Sequence, residues 1–278
     1  MLRLLRPGDN EYVAGDIAIS PRAVARARIT AVLLLALGAA QPVIGASWFA
    51  VVGAVAAATL GVWLRTDEAA ETKDAAVLVA LMYGIGLVPG VGLWPVGPLI
   101  ALLLTAGISW RAGRFSRWRE WLRVGHIDKL AWLTVAAVAV VSIGGLLSWQ
   151  RLFQGQLPDS YQQLAESVPW PAAVAGGLGF MILNGAIEDS IFFGVLLTPL
   201  LRYFPHRWAI LLIALAFGTA HLHGVPNGLA GVVLAGAWAV MLAYLRTRTT
   251  GMLATYLAHV VADTTIIAML LPPLLLSS

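Results

Sequence analysis

Residues 130–149 read LAWLTVAAVAVVSIGGLLSW, twenty consecutive residues without Asp, Glu, His, Lys or Arg. An α-helix rises 1.5 Å per residue, so about 20 apolar residues cross the hydrocarbon core of a bilayer. The whole chain follows the same pattern, because 59% of its residues are hydrophobic and 12% are charged. Soluble domains carry roughly 25% charged residues. The stretch therefore predicts a membrane-spanning helix in an integral membrane protein.

Apolar segments of similar length recur on both sides of this stretch. They predict an all-α, polytopic helical bundle with eight or nine transmembrane helices. The two numbers differ because the first two segments are short enough to form a re-entrant pair. The segments are 29–45, 47–64, 75–91, 94–110, 130–149, 171–201, 208–222, 225–245 and 252–271.

Lys and Arg are concentrated in loops that nine spans would place on one face of the membrane. Such loops are typical of the cytoplasmic side. We therefore expect a cytoplasmic N-terminus and a bacterial or archaeal plasma membrane. The basic stretches are 1–28, 111–129, 202–207 and 246–248.

Between the fourth and fifth segments, residues 111–124 alternate arginines with Phe115, Trp118 and Trp121. This alternation predicts an amphipathic helix that lies on an anionic leaflet. Contacts with membrane lipids account for the net charge of +4, so we infer no nucleic-acid partner. The expected organisation is a basic cytoplasmic tail, then N-terminal spans with the interfacial helix, then a C-terminal membrane core. The boundaries are 1–28, 29–128 and 129–278.

Ionisable residues are distributed unevenly among the predicted spans. The spans before Pro171 contain none, whereas six residues lie in or beside the later spans. An acidic residue at the bilayer centre costs about 2.5–3.5 kcal/mol on insertion scales, so such residues indicate a functional site. The six are Glu188, Asp189, His221, His223, His259 and Asp263.

Three of these residues are predicted to share one layer of the membrane. Glu188, His221 and His259 lie at similar distances in sequence from the basic cytoplasmic loops, which corresponds to depths of about 16–21 Å. Asp263 follows His259 by four residues and so lies one helical turn away on the same face. We expect the four side chains to converge in a single polar cavity, because embedded charge must face a partner or water.

Two kinds of chemistry suit this set of residues. Glu188 can activate a water as a general base, with His221 and His259 positioning the water or stabilising an oxyanion. The same three side chains and Asp263 can instead hold a divalent metal such as zinc. The residues leave both alternatives open and require no other cofactor. The chain contains no cysteine, which excludes thiolate ligands and a cysteine nucleophile.

Three short motifs carry a resemblance to a known family. Residues 188–194, EDSIFFG, resemble the EExxFRG motif of the CPBP family, the CAAX prenyl endopeptidases and bacteriocin-processing or immunity membrane proteases. Residues 217–221, FGTAH, resemble its FxxxH motif, and residues 259–263, HVVAD, its HxxxN/D motif. Their order along successive membrane helices also fits. The resemblance implies a CPBP-type core over about residues 181–267.

The resemblance makes Glu188 the catalytic carboxylate, His221 and His259 its partners, and Asp263 the position that is usually Asn. Asp189, His223 and Phe217 are expected beside them, with Phe217 in a packing role. Asp189 replaces the second Glu of the motif and Phe193 replaces its Arg. An Arg in a membrane needs a carboxylate partner, so the replacement of both residues suggests that an ion pair between the two positions has been lost. We therefore expect Asp189 to be protonated or paired with another group.

The resemblance implies an intramembrane endopeptidase of glutamic or metallo type. Its substrate would be a hydrophobic or lipidated, membrane-tethered peptide, with prenylated CAAX-type peptides implied by the family name. Two alternatives stay open. One is a catalytically silent scaffold or bacteriocin-immunity protein of the same fold, which the Phe193 departure favours. The other is a proton-coupled transporter, which also places Glu, Asp and His at mid-membrane.

Overall fold

The fold is all-helical over the residues that the computed structural model describes, which are 20–44, 48–64, 69–153 and 169–276. A π-helical segment, Ser190–Leu196, joins α7 to α8, and a 3₁₀ turn, His221–His223, follows α9. The α-helices are α1 Pro21–Ile44, α2 Trp48–Trp63, α3 Ala70–Gly86, α4 Val96–Arg111, α5 Phe115–Arg119, α6 Lys129–Phe153, α7 Trp170–Asp189, α8 Leu197–Tyr203, α9 His206–Ala220, α10 Gly228–Thr249 and α11 Leu253–Leu276.

Four helical segments of the described chain are long and apolar enough to cross a membrane. They are Pro21–Ile44, Lys129–Phe153, Trp170–Tyr203 and Gly228–Thr249. Shorter apolar helices are Trp48–Trp63, Val96–Arg111 and Leu253–Met269. The all-helical membrane class is therefore confirmed, while the number of eight or nine spans stays a prediction. The basic tail expected before α1 lies outside the described residues up to residue 19.

The helices surround a core centred on α7, the π-helical segment and α8. Helix α9 packs along α10, and α11 packs against α6 and α7. Phe193, Phe217 and Leu242 are among the largest side chains with no appreciable exposure. Apolar side chains also point outward, as a lipid solvent requires. Side chains that are 70–80% exposed include Val140, Leu152, Leu229 and Val233.

The helical hydrogen bonds of α6 begin at a charged cap outside its apolar stretch. Asp128 accepts a hydrogen bond from the backbone N–H of Ala131 at 2.7 Å, as the residue before a helix commonly does. Its other oxygen accepts from Arg248 at 2.7 Å, near the end of α10. The Ala131 N–H first, and the Arg248 guanidinium second, hold the pKa of Asp128 below its ordinary value. This aspartate thus joins the ends of α6 and α10.

A buried carboxylate also lies in the N-terminal half, next to the start of the predicted third segment. Helix α3 begins at Ala70 and not at Ala75, so it includes Asp74, which is buried. Asp74 accepts hydrogen bonds from Ser109 at 2.8 Å, Arg114 at 2.8 and 3.0 Å, and Trp118 at 2.9 Å. The charged start of α3 is buried because basic and polar partners from α4 and α5 surround it. Asp74 lies just before the predicted span 75–91, so ionisable residues inside the predicted spans still occur only after Pro171.

The predicted interfacial helix over residues 111–124 is corrected. Only Phe115–Arg119 is α-helical, and the rings of Trp118 and Trp121 are 5% and 3% exposed, so neither lies against lipid. Arg117 pairs with Glu71 at the start of α3. These ion pairs draw the segment onto α3, and its indole rings fill the space between helices.

Gly194, in the middle of the π-helical segment, lies directly against one of these rings. A Cβ atom at Gly194 would be 2.7 Å from two ring carbons of Trp121, well inside van der Waals contact. A ring pressed between buried helices has little room to move. Glycine at this position is therefore required for the approach of Trp121 to the segment that follows Glu188 and Asp189.

We predict that Gly194→Ala destabilises the protein by about 1–3 kcal/mol, as overpacking of a buried site does. Thermal unfolding in detergent measures the effect. Gly144→Ala is the matched control, because nothing lies within 4 Å of a Cβ atom at that helical glycine. Equal melting temperatures for the two variants would contradict the close packing of Trp121 on Gly194.

Candidate active site

The four residues expected to be catalytic meet at one cavity of about 730 Å³. Glu188 comes from the end of α7, His221 from the 3₁₀ turn after α9, and His259 and Asp263 from α11. Most of the remaining wall consists of small and apolar residues of α6, α7 and α10. The cavity is therefore an apolar space with a polar cluster on its wall, and not the polar cavity that we expected.

His259 lies at the centre of the polar cluster and is 3% exposed. Its Nδ1 is 2.8 Å from Asp189 Oδ1, and its Nε2 is 3.5 Å from Glu188 Oε2 and 3.8 Å from Asp263 Oδ1. An ionised carboxylate only accepts hydrogen bonds, so Nδ1 carries a hydrogen and donates it to Asp189. The Nε2 atom is thereby directed at the other two carboxylates.

Neighbouring positions on α7 give Glu188 and Asp189 different environments. Successive residues of an α-helix point about 100° apart, so the two side chains leave the helix in different directions. Glu188 lines the cavity and its side chain is 14% exposed, whereas the side chain of Asp189 is 1% exposed and contacts His259 outside the cavity lining. Glu188 is accessible to a molecule in the cavity, and Asp189 holds the imidazole.

Close approach between α7 and α11 depends on Gly185. A Cβ atom at this position would be 3.1 Å from Cγ of His259 and 3.2 Å from its Cβ. A side chain there would push the imidazole away from Asp189. The glycine one turn before Asp189 therefore allows the carboxylate and the ring to come within hydrogen-bond distance.

His221 is oriented by its own helix. Its Nδ1 is 2.9 Å from the carbonyl oxygen of Phe217, and because a carbonyl only accepts, Nδ1 must donate. The Phe217 ring packs against the imidazole, with ring centroids 4.5 Å apart. The other ring nitrogen, Nε2, takes no part in this hydrogen bond to Phe217. Phe217 is fully buried and packs against the site, as the sequence indicated.

His223 also lines the cavity, although a regular helix would turn it elsewhere. Helix α9 ends at Ala220, and residues 221–223 form a 3₁₀ turn with fewer residues per turn. Because the α-helix stops one residue before the first histidine, both His221 and His223 line the cavity.

Phe193, which stands where the motif has Arg, is fully buried in an aromatic cluster. Its ring centroid is 5.6 Å from that of Phe217. Asp189 pairs with His259, in agreement with the expectation that it would be protonated or paired with another group. Arg202, the nearest basic residue along the chain, instead contacts Glu71 at 2.7 Å.

Two hydrogen-bonded residues of the site were missed by the sequence analysis. Asn184 donates from Nδ2 to both oxygens of Asp263, at 3.2 and 3.3 Å. Trp94, from the loop before α4, donates from Nε1 to Asn184 Oδ1 at 2.8 Å. Asn184 precedes Glu188 by four residues, a helical spacing that could have identified it. Trp94 lies 94 residues from Glu188 in sequence, and no local pattern connects them.

Trp238 of α10 is a third missed residue. Its ring packs edge-on against the imidazole of His259, with centroids 4.8 Å apart. Its Nε1 donates to Ser142 Oγ of α6 at 2.7 Å, which fixes the indole plane. The His259 ring is thus held by a carboxylate at Nδ1 and by an aromatic edge contact from another helix.

The ligand set suggested for a metal is Glu188, His221, His259 and Asp263. Within the described ranges, no group of three or more His, Asp or Glu side chains is arranged to hold a metal ion. The zinc hypothesis therefore stays a prediction.

Comparison with protein families gives a match over the part of the chain that contains the site. Residues 169–265 match the family described as type II CAAX prenyl endopeptidase Rce1-like. This match confirms the resemblance indicated by the three motifs and is consistent with a CPBP family protease. It supports a membrane-embedded protease of CAAX type. Neither the curated proteins nor the solved structures contain a match to the chain.

We predict that Asp189→Leu destabilises the protein by about 1–3 kcal/mol, because the buried Nδ1–H of His259 loses its acceptor. Asp189→Asn is the matched variant, since its amide oxygen can still accept from Nδ1. Thermal unfolding in detergent should rank wild type first, Asn second and Leu last. A Leu variant as stable as the wild type would show that the 2.8 Å contact does not hold the ring.

Proposed function

We propose that the chain is an intramembrane endopeptidase that uses a water activated by Glu188, with His221 and His259 as partners. Its substrate is a hydrophobic or membrane-tethered peptide, including prenylated peptides of CAAX type. The observation that carries this proposal is the arrangement at the cavity wall. A partly accessible carboxylate lies 3.5 Å from a buried imidazole whose opposite nitrogen is bound to a second carboxylate.

Hydrolysis at this wall requires a base, an orienting group and a place for the scissile bond. Glu188 accepts a proton from the water as its oxygen attacks the peptide carbonyl carbon. The carbon–nitrogen bond then breaks, and the proton held by Glu188 passes to the leaving amine. One water is added across the bond, so atoms and charges balance. The carboxylate returns to its starting form.

The two histidines suit different parts of this reaction. Asp189 keeps the Nδ1–H of His259 engaged, so Nε2 faces Glu188 Oε2 at a distance of 3.5 Å. Fixing one ring nitrogen so that the other faces the reacting groups is the usual role of a carboxylate behind a catalytic imidazole. His221 keeps its Nδ1–H on a carbonyl, so its Nε2 can accept a hydrogen from the attacking water and orient it.

The cavity favours an apolar substrate segment. Its wall beyond the polar cluster is formed largely by glycine, alanine and larger apolar residues, including Gly176, Gly177 and Phe180 of α7. A peptide attached to the membrane could present its scissile bond to Glu188 with its apolar side chains against this wall. The family name adds CAAX-type substrates to this class. Lipids are the other expected partners, in a bacterial or archaeal plasma membrane with the N-terminus in the cytoplasm.

A catalytically silent scaffold or immunity protein is the main competing function, because the motif Arg is replaced by Phe193. The surroundings of Phe193 and Asp189 favour the enzyme. Phe193 packs on Phe217, and Asp189 is bound to the His259 ring. Asp189 can therefore serve catalysis without an Arg partner, because it holds the imidazole of His259 beside Glu188. A proton-coupled transporter lacks support from the family match, which is to a protease.

We predict that the purified protein in detergent cleaves members of a hydrophobic peptide library and that Glu188→Gln abolishes cleavage. Glutamine has nearly the same shape but cannot accept the proton. Glu120→Gln, at an exposed carboxylate of another segment, is the matched control and should retain wild-type cleavage. Mass spectrometry of the products measures the outcome. Cleavage that persists in Glu188→Gln would exclude this carboxylate as the base.

A further prediction separates the two chemistries for Asp263. If Asp263 orients His259, then Asp263→Asn retains measurable activity that chelators do not change, because its amide oxygen can still accept from Asn184. A metal-ligand role predicts the loss of both activity and metal. We expect the first result, since four protein ligands would leave zinc no open position for water. Metal analysis and assays with and without chelator decide between them, and a stoichiometric metal lost in Asp263→Asn would overturn our expectation.

A further inference from the structure

A chain of hydrogen bonds runs from the N-terminal half of the protein into the site. It begins at Trp94, which lies outside the family match over residues 169–265. The indole Nε1 of Trp94 donates to Asn184 Oδ1 at 2.8 Å, and Asn184 Nδ2 lies 3.2 and 3.3 Å from the two oxygens of Asp263. Asp263 Oδ1 is in turn 3.8 Å from His259 Nε2. Asn184 and Asp263 are buried, so water does not replace these contacts readily.

The partners of Asn184 allow only one orientation of its amide. An indole N–H is a donor and has no acceptor, whereas an ionised carboxylate accepts and cannot donate. The amide oxygen must therefore face Trp94, and the NH₂ group must face Asp263. A rotation by 180° would place the oxygen against the carboxylate and the NH₂ group against the indole N–H. Both hydrogen bonds would be lost together.

This orientation has a consequence for the carboxylate beside His259. The Asn184 amide is neutral, so it holds Asp263 by hydrogen bonds without taking up or releasing a proton. Trp94 does not reach Asp263 itself. It acts by preventing the 180° rotation of the Asn184 amide. A residue of the loop before α4 thereby controls which group faces Asp263.

We infer that Trp94 and Asn184 are positioning residues of the proposed peptidase site. Trp94 fixes the Asn184 amide, and the amide holds Asp263 in place beside His259. The inference rests on the proposed function for its effect on cleavage. It also assigns to the N-terminal helices a direct part in a site whose catalytic residues all lie in the matched C-terminal segment.

The test is a double-mutant cycle with Trp94→Phe and Asn184→Leu in the full-length protein. Phenylalanine keeps a ring at position 94 and removes the N–H, and leucine keeps the volume of Asn184 and removes the amide. Each single change should lower kcat by about tenfold, as expected for the loss of a hydrogen bond to a charged or buried group. The double variant should be no slower than Asn184→Leu alone.

Independent effects would overturn the inference. If Trp94 contacts the substrate directly, its change should lower the rate by the same factor in the Asn184→Leu protein as in the wild type. Unchanged kcat in both single variants would equally contradict a positioning role. Trp118→Phe is the matched control, because it also removes the N–H of a buried tryptophan that donates to an aspartate, at 2.9 Å, outside the cavity lining. It should leave kcat unchanged.

A measurement without substrate keeps the inference separate from the proposed function. The ¹⁵N–¹H signal of the Trp94 indole, assigned by its absence in Trp94→Phe, should shift in Asn184→Leu and stay unchanged in Trp118→Phe. A signal that does not respond to Asn184→Leu would overturn the inference even in an active enzyme. A wild-type protein that cleaves nothing but shows the shift would refute the proposed function and leave the hydrogen-bonded chain established.

Discussion

The hydrogen bond between His259 Nδ1 and Asp189 is the contact on which the rest of the site depends. Both side chains are almost completely buried, at 3% and 1% exposure. Neither can exchange its partner for water, and separating them would leave two polar groups unsatisfied in an apolar interior. With Nδ1 occupied, the geometry of Nε2 towards Glu188 and Asp263 is determined. The contact therefore fixes the positions of the ionisable residues around His259 relative to one another.

Close packing around the imidazole and around the segment after Asp189 maintains this contact. Gly185 lets the imidazole approach α7, and Trp238 of α10 closes the space beside the ring. The segment after Asp189 departs from α-helical geometry into a π-helix, a feature often found at functional sites. Gly194 within that segment lies against Trp121, so the N-terminal helices support the chain that carries Glu188 and Asp189. Residues of the candidate site in one half are thus held by packing from the other half.

Much of the site could be predicted from the sequence because embedded charge is costly in a membrane. That cost separates Glu188, His221, His259 and Asp263 from an apolar background, and the structure brings the four to one cavity. Their catalytic roles stay predictions. The aromatic packing of Phe217 and the re-pairing of Asp189 also follow from chemistry that the sequence makes visible.

Other features could not be predicted because they depend on tertiary contacts. Trp94 and Trp238 look like any other tryptophan in an apolar chain, and only the fold places their N–H groups beside Asn184 and Ser142. The burial of Asp74 could not be predicted because its partners come from other parts of the chain. The position of His223 depends on where α9 ends, and local sequence specifies the ends of a helix more weakly than its existence.

The most direct test of the account is a cleavage reaction in water enriched in ¹⁸O, with mass spectrometry of the new carboxyl terminus. If the cluster around His259 activates water, the N-terminal fragment should carry one ¹⁸O atom after a single turnover. No enzyme-bound acyl intermediate should accumulate. Fragments without the label, or an acyl group attached to a protein side chain, would contradict direct attack by water at Glu188.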